Sequence, residues 1–254
     1  MYRPRLRLDG HLPHYGLPRW QTVDMELLDV RAGLSILDVG CGGGYLLGKA
    51  AGRAGAALGV DLDGDRLRSA RGGVLNGKLL SAGFVEFAVA DGQHLPFASA
   101  SVDRIICTET LEHVLDPRLI LEQLARLLKP GGRLAISVPH HRCEALLHRL
   151  IKGYFEFPGG HRRIYMPTAL HRALAQAGLQ AYATCSRDSL EAVYWILLSL
   201  LSRPSRRFDG GLAALERWRA RTRAQPYSRF YHAVDEVGNR LLPKSVVVYA
   251  VKPC

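Results

Sequence analysis

A doubly wound α/β fold with a mostly parallel sheet is predicted for this 254-residue chain by three observations. Short runs rich in Val, Ile and Leu alternate with longer amphipathic runs between residues 35 and 138, a pattern that puts helices on both faces of a parallel sheet. The first short run, Ile36-Leu37-Asp38-Val39, leads straight into Gly40-Cys41-Gly42-Gly43-Gly44, where missing Cβ atoms permit a sharp turn and let a ligand lie against bare backbone. The second ends in Asp61, about twenty residues past the first glycine, where such sheets put a carboxylate on ribose hydroxyls. A dinucleotide dehydrogenase would carry glycine where Tyr45 stands and an apolar residue in place of Asp38, so nicotinamide binding is disfavoured.

Taken in chain order, Trp20, Val23, Leu27, Leu28 and Val30 recur at mostly helical spacing and predict a leading helix over 17–32, within a helical N-terminal segment of residues 1–31. Strands are expected at Ser35–Val39, Ala57–Val60, Val85–Ala90, Val102–Cys107 and Arg133–Val138, with helices near 45–53, 64–81 and 117–128. The helix at 45–53 aims its first amides at whatever fills the glycine loop. Lys129-Pro130-Gly131-Gly132 stops the helix 117–128 and starts the fifth strand. Beyond Pro139, helices are expected at Cys143–Ile151 and Pro167–Ala177, a loop at Tyr154–Tyr165 and a strand at Gly178–Ser186. Ser245–Val251 has the β-branched content of a last, central strand. The organisation that results is a core of residues 32–186 and 245–254, interrupted by an insertion, 187–244. That insertion opens with the apolar run Ala192–Leu201 and continues into an arginine-rich helical segment.

Composition narrows the class. A hydrophobic content of 48% suffices for one sizeable core. No apolar run reaches the eighteen or so residues of a membrane span, and Met1-Tyr2-Arg3-Pro4-Arg5 lacks the apolar core of a signal peptide, so a cytoplasmic location is expected. The five cysteines are scattered without a C-x-x-C pair and suggest reduced thiols. The net charge of +11 is unevenly placed: residues 1–31 carry five basic and four acidic groups, residues 32–138 eleven of each, and residues 139–254 eighteen against eight. The excess therefore lies behind the half that carries the glycine loop, in residues 139–254, where it suits an anionic substrate, an anionic membrane surface or simply a solvated basic face.

Four motifs in order, Leu37–Gly44, Val60-Asp61, Ala90-Asp91-Gly92 and Leu128-Lys129-Pro130-Gly131-Gly132, resemble those of class I S-adenosylmethionine-dependent methyltransferases, the small-molecule, type 11-like branch above all. The resemblance covers roughly residues 30–140 and the last two strands. It implies a Rossmann-like, seven-stranded sheet whose last strand inserts antiparallel between its neighbours. It also implies that Gly40, Cys41, Gly42 and Gly44 lie against the methionine part of S-adenosyl-L-methionine, with Asp38 reaching its amino group. Asp61, beside Leu62, would take both ribose hydroxyls. Asp91 would accept from the adenine amino group, Gly92 and Gln93 would flank the ring, and Thr108 would line the floor near the sulfonium. The product would be S-adenosyl-L-homocysteine.

After the fourth strand stands Glu109-Thr110-Leu111-Glu112-His113. On a starting helix, positions 109, 112 and 113 share one face and gather two carboxylates and an imidazole. The string is similar to the E-x-x-E-H of ubiquinone-pathway O-methyltransferases and small-RNA 2′-O-methyltransferases, which use a divalent ion such as Mg2+ to deprotonate or orient a hydroxyl. Many small-molecule relatives carry nearly the same string without metal, so a structural or substrate-orienting role stays open beside the metal role. A second cluster is Pro158-Gly159-Gly160-His161-Arg162-Arg163. The resemblance places a Gly-x-His over the acceptor pocket, which makes His161 the foremost candidate for general base or further metal ligand, histidine being the side chain that titrates near neutrality. His140, directly after the fifth strand, is another. The catalytic candidates are thus His161, Glu109, His113 and His140, and the candidate ligands of a divalent ion are Glu109, Glu112, His113 and His161.

These features imply methyl transfer to a small, lipophilic or anionic acceptor, onto oxygen rather than carbon or nitrogen, with the insertion as a helical lid. Two alternatives stay open. The basic C-terminal half suits an RNA-modifying enzyme, although Cys107-Thr108-Glu109-Thr110 stands where base-amine methylating enzymes carry Asn/Asp-Pro-Pro-Tyr/Phe, which disfavours nucleic acid. A non-catalytic cofactor-binding protein attached to a partner or membrane is the other.

Overall fold

The computed structural model describes residues 22–76, 84–150, 160–201, 209–223 and 229–254. In chain order the elements are β1 (Ser35–Val39), α1 (Tyr45–Ala51), β2 (Ala56–Asp61), α2 (Gly64–Asn76), β3 (Phe84–Val89), β4 (Val102–Thr108), α3 (Pro117–Leu127) and β5 (Leu128–Pro139). There follow α4 (His141–Leu150), α5 (Pro167–Gln176), β6 (Gln180–Arg187), α6 (Ser189–Leu201), α7 (Asp209–Arg223), α8 (Arg229–Leu241) and β7 (Ser245–Val251). The seven strands form one sheet in the order β3-β2-β1-β4-β5-β7-β6. The pairs β1–β2, β1–β4, β2–β3 and β4–β5 are parallel. β7 runs against β5, because Gly131 N donates to Lys252 O at one end while His140 N donates to Lys244 O at the other. The doubly wound sheet and the antiparallel final strand therefore match the expectation, and the chain reverses its winding between β1 and β4, the switch point beside which open α/β sheets bind ligands.

The described residues fall into two compact units, one within 22–138, 166–185 and 247–254, the other within 139–165 and 186–246. In the sheet unit, Met25, Leu28, Leu47, Ile106, Val247 and Tyr249 belong to one buried cluster. β1 and β7 are buried almost throughout, as expected of strands covered on both faces. The predicted leading helix is a correction: residues 22–32 form turns, and 17–21 lie outside the described residues. The side chain of Asp24 accepts from Glu26 N at 2.9 Å and Leu27 N at 3.3 Å, satisfying amides that a helix would need. Asp29 then takes a left-handed φ of 57°. Asp24 N donates to Tyr249 Oη at 2.7 Å, and buried Arg104 pairs with Asp29 at 2.6 Å, which fastens the turns to the sheet.

β5 begins five residues before the expected Arg133, because Lys129–Gly132 form an irregularity within it: Val102 pairs with Leu128, and Arg104 with Arg133. The second unit assembles α4, α6, α7 and α8, with Cys143, Leu147 and Ala192 at its apolar centre. The N-terminus of α6 is capped from α8, where Asp235 Oδ1 accepts from Ser189 Oγ at 2.8 Å and from Leu190 N at 2.9 Å. Parts of several expected elements lie outside the described residues, namely 77–81, Ile151, 154–159, 202–208 and 224–228. Among the described residues no helix is long and apolar enough to cross a membrane.

Candidate functional site

The glycine loop is built by backbone bonds that tie β1 to β2. Gly40 N and Cys41 N both donate to Val60 O, at 2.8 and 3.0 Å. Gly40 has φ 73°, and a Cβ there would lie 2.3 Å from Thr110 Oγ1. That hydroxyl is itself bonded to Thr108 O at 3.1 Å, so it cannot easily withdraw. Gly42, at φ 51°, differs: an added Cβ would meet nothing within 4 Å, so bare backbone borders open space. Asp61 Oδ2 accepts from Gly42 N at 2.8 Å and Oδ1 from Asp63 N at 2.9 Å. The acid expected on ribose hydroxyls therefore shapes the loop, and each of its oxygens keeps a second lone pair.

Asp38 is 1% exposed, and its Oδ1 has no hydrogen-bond partner among the described residues. Burial first, and the charge of Asp61 second, push its pKa up to about 7, against a bond from Leu47 N. Leaving such an acceptor unmet costs about 1–3 kcal/mol, so the position calls for a donor, best a cation. Burial, then Asp38 and Asp61, push the Cys41 thiol up, which keeps it neutral. Leu62 is 67% exposed. Asp91 accepts from Gln93 N at 2.9 Å, which holds its carboxyl below the usual range. Gly92 leaves no room for a side chain without a tight contact, since a Cβ would lie 3.1 Å from Val39 Cγ1. Ala90 N donates to Asp61 O at 3.2 Å, which links the loops after β2 and β3, while Thr108 closes β4. The structure thus brings the cofactor candidates together at the carboxyl ends of β1 to β4.

The E-x-x-E-H string does not start a helix. Residues 109–115 form a bend and turns, and α3 begins only at Pro117, with Asp116 accepting from Arg118 N at 2.9 Å as its cap. Glu109 interrupts helical geometry with φ 50° and is held by Ser137, whose carbonyl accepts from Glu109 N at 3.0 Å and whose hydroxyl donates to Oε1 at 3.0 Å. Glu112 is fully buried, 3.9 Å from the half-exposed His113. Glu109 and Glu112 therefore have different settings, not one helical face.

In the second unit, His161 Nδ1 lies 2.7 Å from Glu144 Oε2, and Glu144 is 3% exposed. With a proton on Nδ1 directed to that carboxylate, Nε2 becomes the basic nitrogen. Tyr165 bridges to His140, and Glu144 N donates to His140 O at 3.0 Å, so both predicted histidines adjoin the first turn of α4. Burial, then His141 and Arg142, lower the His140 pKa to about 4, and its Nδ1 accepts from Arg142 N at 3.3 Å. Sequence reasoning missed Glu144, although its place in the first turn after β5, facing a candidate loop, was a usable signal. It also missed Ser137 and the inward turn of Arg219, which is 5% exposed, bonds Glu191 at 2.6 Å and lies 3.9 Å from the Tyr194 ring centroid.

A doubly wound sheet with an antiparallel seventh strand, a glycine turn after β1 and acids at the ends of β1, β2 and β3 defines the class I S-adenosylmethionine-dependent methyltransferases. The chain belongs to this family: residues 18–184 match the family described as "Methyltransferase domain". It is 35% identical over 183 residues to a ubiquinone biosynthesis O-methyltransferase of Xylella fastidiosa, covering 67% of this chain and 72% of that protein. It is 42% identical over 113 residues to the methyltransferase GfsG of Streptomyces halstedii, a match over 44% of this chain that spans only 40% of GfsG. A solved structure of geranyl diphosphate C-methyltransferase from Streptomyces coelicolor shares the fold, with a TM-score of 0.59 at 18% identity over 90% of this chain and 74% of that one.

Proposed function

We propose that this protein transfers a methyl group from S-adenosylmethionine to a hydroxyl of a small molecule, with His161 as general base. The observation that carries the choice of oxygen is the 2.7 Å bond between His161 and buried Glu144, because a hydroxyl acceptor must lose a proton whereas a carbon or neutral amine acceptor needs other activation. The likeness to an O-methyltransferase over two thirds of the chain supports the same reading.

The residues present fit the methyl donor. The unmet Asp38 acceptor suits an ammonium group, the open backbone at Gly42 suits a close-lying chain, and Asp61 and Asp91 keep lone pairs for hydroxyl and amine donors. When bound, S-adenosylmethionine supplies an electrophilic methyl on a positively charged sulfur. Asp38 would hold the donor's amino group, and the glycine loop with Thr108 would hold its methionine part, so that placement would contribute several kcal/mol to lowering the barrier. His161 Nε2 would take the proton that the acceptor hydroxyl gives up when its oxygen receives the methyl group and the sulfur keeps the bonding pair. Glu144 holds the imidazole and steadies the imidazolium that results. A divalent ion is a further element of this reading: Glu112 and His113 offer an adjacent carboxylate and imidazole that fit a hard cation, whose chemistry would be to acidify the acceptor hydroxyl. Metal analysis of the purified protein and assay after chelation test that element.

The test is turnover with methyl-labelled donor on phenolic and aliphatic hydroxyl compounds, with total RNA alongside. Label on RNA alone would sink the reading. His161→Ala is expected to lower kcat by about 10²–10⁴, and Glu144→Gln to lower it by roughly tenfold or more, while donor binding stays unchanged in both.

A further inference from the structure

Helix α8 meets two different surroundings. Asp235 turns into the second unit and caps α6, as described above. On another face, Phe230, Val234, Val237 and Leu241 recur at i, i+4, i+7 and i+11, and they are 69, 38, 63 and 71% exposed. Helical geometry aligns these four in one stripe about 16 Å long. Arg229 and Arg240, both exposed, stand at opposite ends of the stripe and along the same edge of it.

We propose that α8 lies lengthwise on an anionic phospholipid surface, with this stripe among the acyl chains and the two arginines among the phosphates. The shape is that of an interfacial helix: a narrow apolar face, a basic edge and no length to span. Charge selects the occupant. Residues 203–240 hold nine arginines against Asp209, Glu216, Asp235 and Glu236; with Arg219 buried on Glu191 and Asp235 buried at the α6 cap, the balance stays strongly basic. A second copy of the chain fits poorly. Antiparallel pairing of two α8 stripes sets Arg229 against Arg240 of the other copy, whereas lipid phosphates meet both arginines with opposite charge. This surface belongs to α8 alone and does not depend on which acceptor is methylated.

Sedimentation of the full chain with vesicles of equal parts phosphatidylglycerol and phosphatidylcholine, against phosphatidylcholine alone, tests it. Binding only to the anionic vesicles, weakening as salt rises, is expected. The Phe230→Ser/Leu241→Ser protein should bind at least about tenfold more weakly, with an unaltered melting curve because both side chains are exposed. The Arg229→Gln/Arg240→Gln protein should bind about tenfold more weakly and lose most of the salt dependence; should the serine protein melt early, this second variant decides. Absence of binding to the anionic vesicles, or variants that bind like the unaltered protein, overturns the proposal. So does a concentration-dependent dimer in light scattering that the serine protein lacks, which would assign the stripe to a second copy.

Discussion

At Asp38 a carboxylate sits where water is excluded, and its response to pH follows from that. Its pKa rises from 3.8 to about 7 on folding, through burial first and Asp61 second. Between those values the folded state holds a proton that the unfolded state has released, so stability falls as pH rises across the window, by roughly 4 kcal/mol in all. His140 acts in the opposite sense: with its pKa lowered from 6.5 to about 4 by burial and its basic neighbours, the unfolded state gains a proton first and stability falls as pH drops. The two slopes oppose each other in mild acid. Asp38→Asn is therefore expected to raise the melting temperature of ligand-free protein near pH 8 and to unmask the His140 loss below about pH 6, while abolishing donor binding. A melting temperature lower than that of the unaltered protein near about pH 8 would refute the buried-charge account. Gly40→Ala should fail differently, since its Cβ would meet Thr110 Oγ1 at 2.3 Å: the loop must open, and donor affinity is expected to drop with a stability loss of about 1–3 kcal/mol, read by calorimetry.

Helix α7 shows what a single element conceals. Its arginines at 217, 219, 221 and 223 suggest a solvated basic face, and spacing alone gives no reason to choose among them. Packing chooses Arg219, which pairs with Glu191 while that carboxylate also accepts from Trp195 Nε1 at 3.1 Å. Arg219→Ala removes a buried charge from the Glu191 pair, so a loss of about 3–5 kcal/mol in urea unfolding is expected, against much less for exposed Arg217→Ala or Arg221→Ala. Equal effects at the three positions would contradict the clamp. The E-x-x-E-H string failed as a helix for a comparable reason. Its spacing is helical, but Glu109 adopts a left-handed φ and the Asp116-Pro117 cap moves the helix start eight residues on.

For the molecule as a whole, the sheet was legible because alternation of apolar runs, glycine turns and strand-end acids is local information. The strand boundaries moved by only a few residues, except at β5, whose irregularity at Lys129–Gly132 depends on the pairing of β4 and β7 around it. The cofactor candidates were legible for the same reason, each lying within five residues of the carboxyl end of a strand. The Glu144–His161 pair was not, because contact across seventeen positions is fixed by tertiary packing. Saturation with S-adenosylhomocysteine is expected to stabilise the protein by about 2.7 kcal/mol at a hundredfold excess over Kd. Hydrogen-exchange protection should rise at 40–44, 61–63 and 91–93 and stay constant in α8. Protection that rises in α8 and not in those loops would place the ligand elsewhere.

The position of β7 between β5 and β6 has a bearing on how the chain is made. Asp24, whose backbone N–H donates to Tyr249 Oη at 2.7 Å, is separated from it by 225 positions. During synthesis every other strand emerges before β7, and until it arrives β5 and β6 each offer an unpaired edge to any neighbouring chain. Folding of the sheet must therefore end on its longest-range contact, a slow kind of closure. Nascent protein halted before Ser245 should be the species that chaperones hold and that aggregates.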